Sequence, residues 1–133
     1  MRNFRELNIW KKGIEIAKAV YAILPELPDY ENFGLRVQMA KSSSSIPSNI
    51  AEGCGKSSNK DFKRNLEISL GSAYELETQL ILAYELHGIK IEPIINSVKE
   101  EQMMISSLIQ TLLAFSIKPL AFWIKMIIYK NRE

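Results

Sequence analysis

Apolar residues spaced alternately three and four apart recur through most of this 133-residue chain, and only a helix brings positions with that spacing onto one face. Leu7, Trp10, Ile14, Ala17, Tyr21 and Leu24 form the first such seam, and Pro25 with Pro28 prevents the helix from running on. After the Pro28-Asp29 turn, Leu35, Met39, Ser42, Ile46, Asn49 and Gly53 keep the spacing with a mixture of large, small and polar residues. Pro47 lacks an amide donor, so this second helix is expected to continue with a kink or to restart at a Ser45 cap, with a kinked continuous helix preferred. The third seam is the clearest. Ser58 is placed to cap it, and Phe62, Leu66, Ser69, Ala73, Leu76, Leu80, Ala83 and His87 follow in heptad positions. Gly88 stands where a left-handed cap is expected, and Ile91, Ile95, Val98, Gln102, Ile105, Ile109 and Leu112 make a fourth seam.

Four helices with short links and no alternating strand pattern predict an all-α, antiparallel up-down four-helix bundle. The length suits one domain, and 47% hydrophobic residues can fill a core, which excludes wholesale disorder. The bundle is expected over residues 1–117, followed by an apolar, helical tail over 118–133. That tail contains Leu120, Phe122, Trp123, Met126, Ile127 and Ile128, but Lys118, Pro119 and Lys125 interrupt it before it reaches the roughly 20 apolar residues of a membrane span. A surface anchor, a fifth short helix over the bundle and a subunit contact are the remaining readings, with a protein contact favoured. Met1–Lys12 has no apolar signal core, and the single Cys54 cannot form an intramolecular disulfide, so a cytoplasmic location is expected.

The net charge of +2 conceals segregation. Residues 1–24 and 56–64 are each +3, whereas residues 65–101 are −5. Such asymmetry can orient an acidic polymer or pair subunits, although solvated helix faces also produce it.

The chemical motifs argue against catalysis. Gly55-Lys56-Ser57 resembles the end of a phosphate-binding loop, but Ile50 occupies the required glycine position and a helix precedes the loop where a strand is needed. A simple interhelical turn is the preferred reading, with capture of one backbone phosphate as the alternative. One histidine cannot supply the paired Glu-x-x-His ligands of a di-iron bundle, and His87 reads as a helix-terminal residue set against the dipole. Cys54 has no histidine nearby in sequence, so no catalytic residue, cofactor or metal site is expected. Asn49, with Glu52 as its partner, is expected to fix the bundle's register through buried hydrogen bonds. Gly53 and Gly71 are expected to allow close approach of a neighbouring backbone, and Gly55 belongs to the turn.

Leu7-Asn8-Ile9-Trp10, Glu31-Asn32-Phe33-Gly34-Leu35 with Gln38, Ser45 to Gly53, and Gly71 to Thr78 together resemble the four-helix-bundle proteins encoded in 23S ribosomal RNA intervening sequences. The likeness is dense over the first three helices and only a matter of pattern in the fourth. It implies an antiparallel bundle that assembles into homopentamers, and relatives include the accessory variability determinant of diversity-generating retroelements, a basic barrel working with a reverse transcriptase and nucleic acid. Lys56 departs from the arginine usual at that position, which keeps the charge but loses a planar bidentate fork, and the apolar tail is also a departure.

The leading expectation is therefore a homo-oligomeric adaptor for RNA or DNA. Its contacts would be Arg2, Arg5, Lys11, Lys12, Lys18, Lys56, Lys60, Lys63 and Arg64, with the modest charge of each copy repeated around a ring. The rival expectation is a scaffold that binds only protein.

Overall fold

The computed structural model describes residues 2–130, and the side chains of residues 116–120 lie outside that description. Helix α1 spans Asn8–Ile23, α2 Leu35–Cys54, α3 Asn59–His87 and α4 Ile94–Lys130. Short 3-10 turns at Phe4–Glu6, Leu24–Glu26 and Asp29–Glu31 complete the described secondary structure. Each helix packs on its sequence neighbour and α1 also packs on α4, which closes a square up-down-up-down bundle.

Local chemistry sets the boundaries. Pro25 lies inside the turn that follows α1, and Pro28 is the extended residue from which the next turn starts. The Ser58 hydroxyl accepts the Asp61 amide at 3.2 Å and so caps α3. Gly88 ends α3 at φ +65°, a left-handed conformation that is cheap for glycine. Pro47 stays inside a continuous α2, with its side chain buried, because packing on both sides holds the helix together where the ladder loses a donor.

The core seams of α3 and α4 match the periodicity, and Phe62, Leu66, Leu76, Leu80, Val98 and Ile105 are all buried. In α1 the expected seam is one notch out of phase. Ile9, Gly13, Ile16 and Val20 are buried, whereas Tyr21 is exposed. The reason is Gly13, which interrupts the apolar pattern where α2 and α4 press close on α1: a Cβ there would lie 3.3 Å from Pro47 Cβ and 3.2 Å from Glu101 Oε2.

Helices α2 and α3 meet along small and polar residues. Ser42 donates to Gln79 Oε1 at 2.6 Å, Ser45 and Ser72 share a 2.7 Å hydrogen bond, and Ser69 donates to the Ile46 carbonyl at 2.9 Å. A Cβ on Gly53 would meet Asn65 Cβ at 2.8 Å, so the end of α2 lies directly on α3. Two packing expectations need correction. Asn49 bonds within its own helix, to the Ser45 carbonyl and hydroxyl at 2.9 Å each, while Glu52 faces solvent beside Lys56 and does not partner it. Gly71 has nothing within 4 Å of a Cβ position, so no packing inside this chain requires glycine there.

The tail is neither separate nor folded back. Helix α4 crosses residue 118 without a break and runs to Lys130, a length of about 55 Å, and the fifth short helix over the bundle is not formed. Residues 131–133 lie outside the described residues.

Candidate nucleic-acid interface

The up-down topology turns charge segregation along the sequence into polarity along the bundle axis. At one end α1 starts, α2 stops, α3 starts and α4 leaves the bundle. That end gathers Arg2, Arg5, Lys11, Lys56, Lys60, Lys63 and Arg64 against Glu6, Glu52, Asp61 and Glu67, a net of +3. The opposite end carries Glu26, Asp29, Glu31, Glu85 and Glu92 against Arg36 and Lys90, a net of −3.

Several of these cations are already engaged. The Arg2 guanidinium donates to Asn59 Oδ1 and lies 4.1 Å from the centre of the Phe62 ring, pinning the amino-terminal segment across the α2–α3 junction. Arg5 lies 4.4 Å over the Phe4 ring. Lys56, in the loop after α2, pairs with Glu52 at 3.9 Å, and half-buried Lys63 pairs with Glu67 one turn along α3 at 3.1 Å; both carboxylates are exposed, so these pairs are readily exchanged for another anion. Lys11, Lys60 and Arg64 are exposed and make no ion pair with another described residue. Lys12 turns away to α4, where its Nζ meets Glu100 Oε2 at 2.7 Å, and Lys18 lies about 10 Å further along α1 from Lys11. The structure thus brings seven of the nine expected cations to one end and leaves Lys12 and Lys18 on the flank.

Glu52, Lys56, Asp61, Arg64, Asn65 and Ile68 line a shallow cleft of about 280 Å³ at the α2–α3 junction. Its charges alternate, and Ser58 and Asp61 already serve the first turn of α3. The junction is accordingly a cap and a turn, with its cations displayed outward, and not a closed phosphate cradle. Cys54 is buried beside it, and burial pushes its thiol up from the ordinary range against the opposing charge of Arg2.

Two polar clusters lie elsewhere. Near the acidic end, Glu31 Oε2 accepts the Leu35 amide at 2.8 Å and so caps α2, while its other oxygen lies 3.9 Å from His87 Nε2. Tyr30 meets His87 Nδ1 at 3.4 Å, so the histidine joins the end of α3 to the start of α2. In mid-bundle, Glu101 is 0% exposed and neither carboxylate oxygen has a hydrogen-bond partner. Burial pushes its carboxyl up to about 8, with Lys12 pulling the other way. Sequence reasoning missed Glu101 by treating it as part of an acidic surface. Its signal was the spacing Ile94, Val98, Glu101, Ile105, which puts a carboxylate on the core seam.

Comparison with known proteins agrees with this architecture. Residues 5–111 match the family described as 23S rRNA-intervening sequence protein. Among solved structures, a protein of unknown function from the S23 ribosomal protein family of Bacteroides thetaiotaomicron VPI-5482 is similar at 28% identity and a TM-score of 0.70. The similarity covers 76% of this chain and 97% of that one. A comparison with curated proteins finds no match. With a family match extending from the first turn to within one residue of Leu112, the last buried side chain of α4 among the described residues, the chain belongs to the 23S rRNA-intervening sequence protein family.

Proposed function

We propose that the protein is a non-enzymatic, homo-oligomeric adaptor that associates with RNA or DNA through the basic end of its bundle. The observation that carries this reading is the convergence of seven cationic side chains from the amino-terminal segment, α1, the α2–α3 junction and α3 at one end, with the acidic excess at the other. A field of that polarity orients a polyanion before contact, and exposed lysines and arginines exchange their small counterions for phosphates. Assembly is supported by the outer face of α3. Ile68, Leu82 and Leu86 are exposed there, and the open space at Gly71 lets another helix approach that face closely. Repetition of a +3 end in several copies supplies the avidity that one copy lacks.

The test is fluorescence anisotropy of labelled RNA and DNA across a salt series, with the oligomer's mass measured by light scattering on the same sample. Binding should weaken steeply with salt, by a slope of roughly −0.7 to −0.9 per phosphate neutralised. Reversing Lys56, Lys60, Lys63 and Arg64 to glutamate should reduce affinity at least tenfold while leaving mass unchanged. No binding of either nucleic acid at low salt overturns the reading in favour of a protein-only scaffold.

A further inference from the structure

Beyond Leu113 the helix α4 leaves the bundle and continues to Lys130, about 25 Å further. Phe115, Phe122, Trp123, Ile124, Ile127 and Tyr129 are all exposed on it. The family match stops at residue 111, so this extension lies outside the segment that identifies the fold. Its pattern nevertheless keeps the register of the bundle. Trp123 and Ile127 stand 18 residues, five helical turns, beyond Ile105 and Ile109, and therefore continue the face of α4 that forms the core. Lys125 stands the same distance beyond exposed Ser107 and continues the solvent face. The core-facing side of α4 thus runs out past the end of the bundle with no helix among the described residues to cover it.

The charge around that surface selects its occupant. From Gln102 to Lys130 there is no acidic residue, and in sequence Lys118, Lys125, Lys130 and Arg132 outnumber the single Glu133. It also emerges from the basic end of the bundle. Apolar and aromatic side chains flanked by a cationic excess suit the boundary between acyl chains and anionic headgroups, where lysine stems lie along apolar surface while their ammonium groups reach phosphate. A second copy of the extension would instead bring two cationic excesses together. Among the described residues no helix is long and apolar enough to cross a membrane.

From this juxtaposition we propose that the α4 extension and the basic end together form a docking surface for an anionic lipid membrane. The extension buries its Trp123 and Ile127 side among the acyl chains, and Lys125 and the basic end meet the headgroups. The basic end is shared with the nucleic-acid reading, but the apolar part lies outside that cationic cluster, so substitutions at Trp123 and Ile127 test the membrane surface separately.

The experiment is co-sedimentation of the full chain with vesicles of phosphatidylcholine alone and of phosphatidylcholine with phosphatidylglycerol. The expected result is binding to the anionic vesicles, reduced at least tenfold in a Trp123→Ser/Ile127→Ser variant and at least tenfold for the unchanged chain on neutral vesicles. Both substitutions are at exposed positions, and unchanged circular dichroism and thermal unfolding of the variant would show that the bundle is intact. Equal binding by the variant overturns the proposal. So does failure to bind anionic vesicles; accompanied by an oligomer that the same variant dissociates, that failure would assign the surface to a second copy of this chain.

Discussion

Glu101 is the residue whose surroundings make the most specific demand. It is fully buried against Gly13, while Lys12, the cation that acts on it, is committed to Glu100. Enclosure without a partner favours the neutral acid, which is why its carboxyl lies near 8 in place of the ordinary 4.5. The consequence for stability follows from proton counting. Below the ordinary value both folded and unfolded chains hold the proton, and the full contribution is present. Between about 4.5 and about 8 the unfolded chain ionises while the folded one stays protonated, so stability falls as pH rises. Urea denaturation at several pH values should show a decline on the order of 1 kcal/mol per pH unit in this window that Glu101→Gln removes. An equal pH dependence in the variant would mean that Glu101 is ionised in the fold. None of this was visible as a run of charge, because Glu100 and Glu101 read alike in sequence and only the second lies on the α4 seam.

Helices differ in how openly their sequences state their packing. In α3 every turn places an apolar or small residue at heptad spacing, so the buried face could be named residue by residue from Phe62 to Ala83. In α1 two apolar sets overlap, and the buried one contains Gly13, whose lack of a side chain is the feature that allows α2 and α4 to approach. A glycine scores as a gap in a hydrophobic pattern although it marks a close contact. Gly71 is the converse case, a mid-helix glycine with open space around it. On a free helix face Gly71→Ala should stabilise the chain by about 1 kcal/mol through helix propensity, measured by chemical denaturation. A loss of stability together with a drop in mass would instead place a second copy against this face, as the oligomeric reading requires.

At the scale of the whole molecule, one helix carries both the fourth seam of the bundle and the extension beyond it. Among the described residues the packed core ends at Leu112 and Leu113, so truncation after Leu113 should leave a cooperatively unfolding bundle. Its stability should lie within about 1 kcal/mol of the full chain, because the described side chains beyond Leu113 are solvent-exposed. A larger loss in thermal or urea unfolding would show that the extension packs on the bundle. The all-α class, the number of helices, the caps at Ser58 and Gly88 and the basic and acidic segments were determined by the sequence alone, because periodicity, capping and charge are properties of neighbours along the chain. Only the tertiary structure decided which face of α1 is buried, that Glu101 is enclosed, that Glu52 turns to Lys56, and that the basic residues share an end with the emerging apolar helix. Those outcomes depend on which distant segments meet, and antiparallel packing of four helices brings together residues that local spacing leaves far apart.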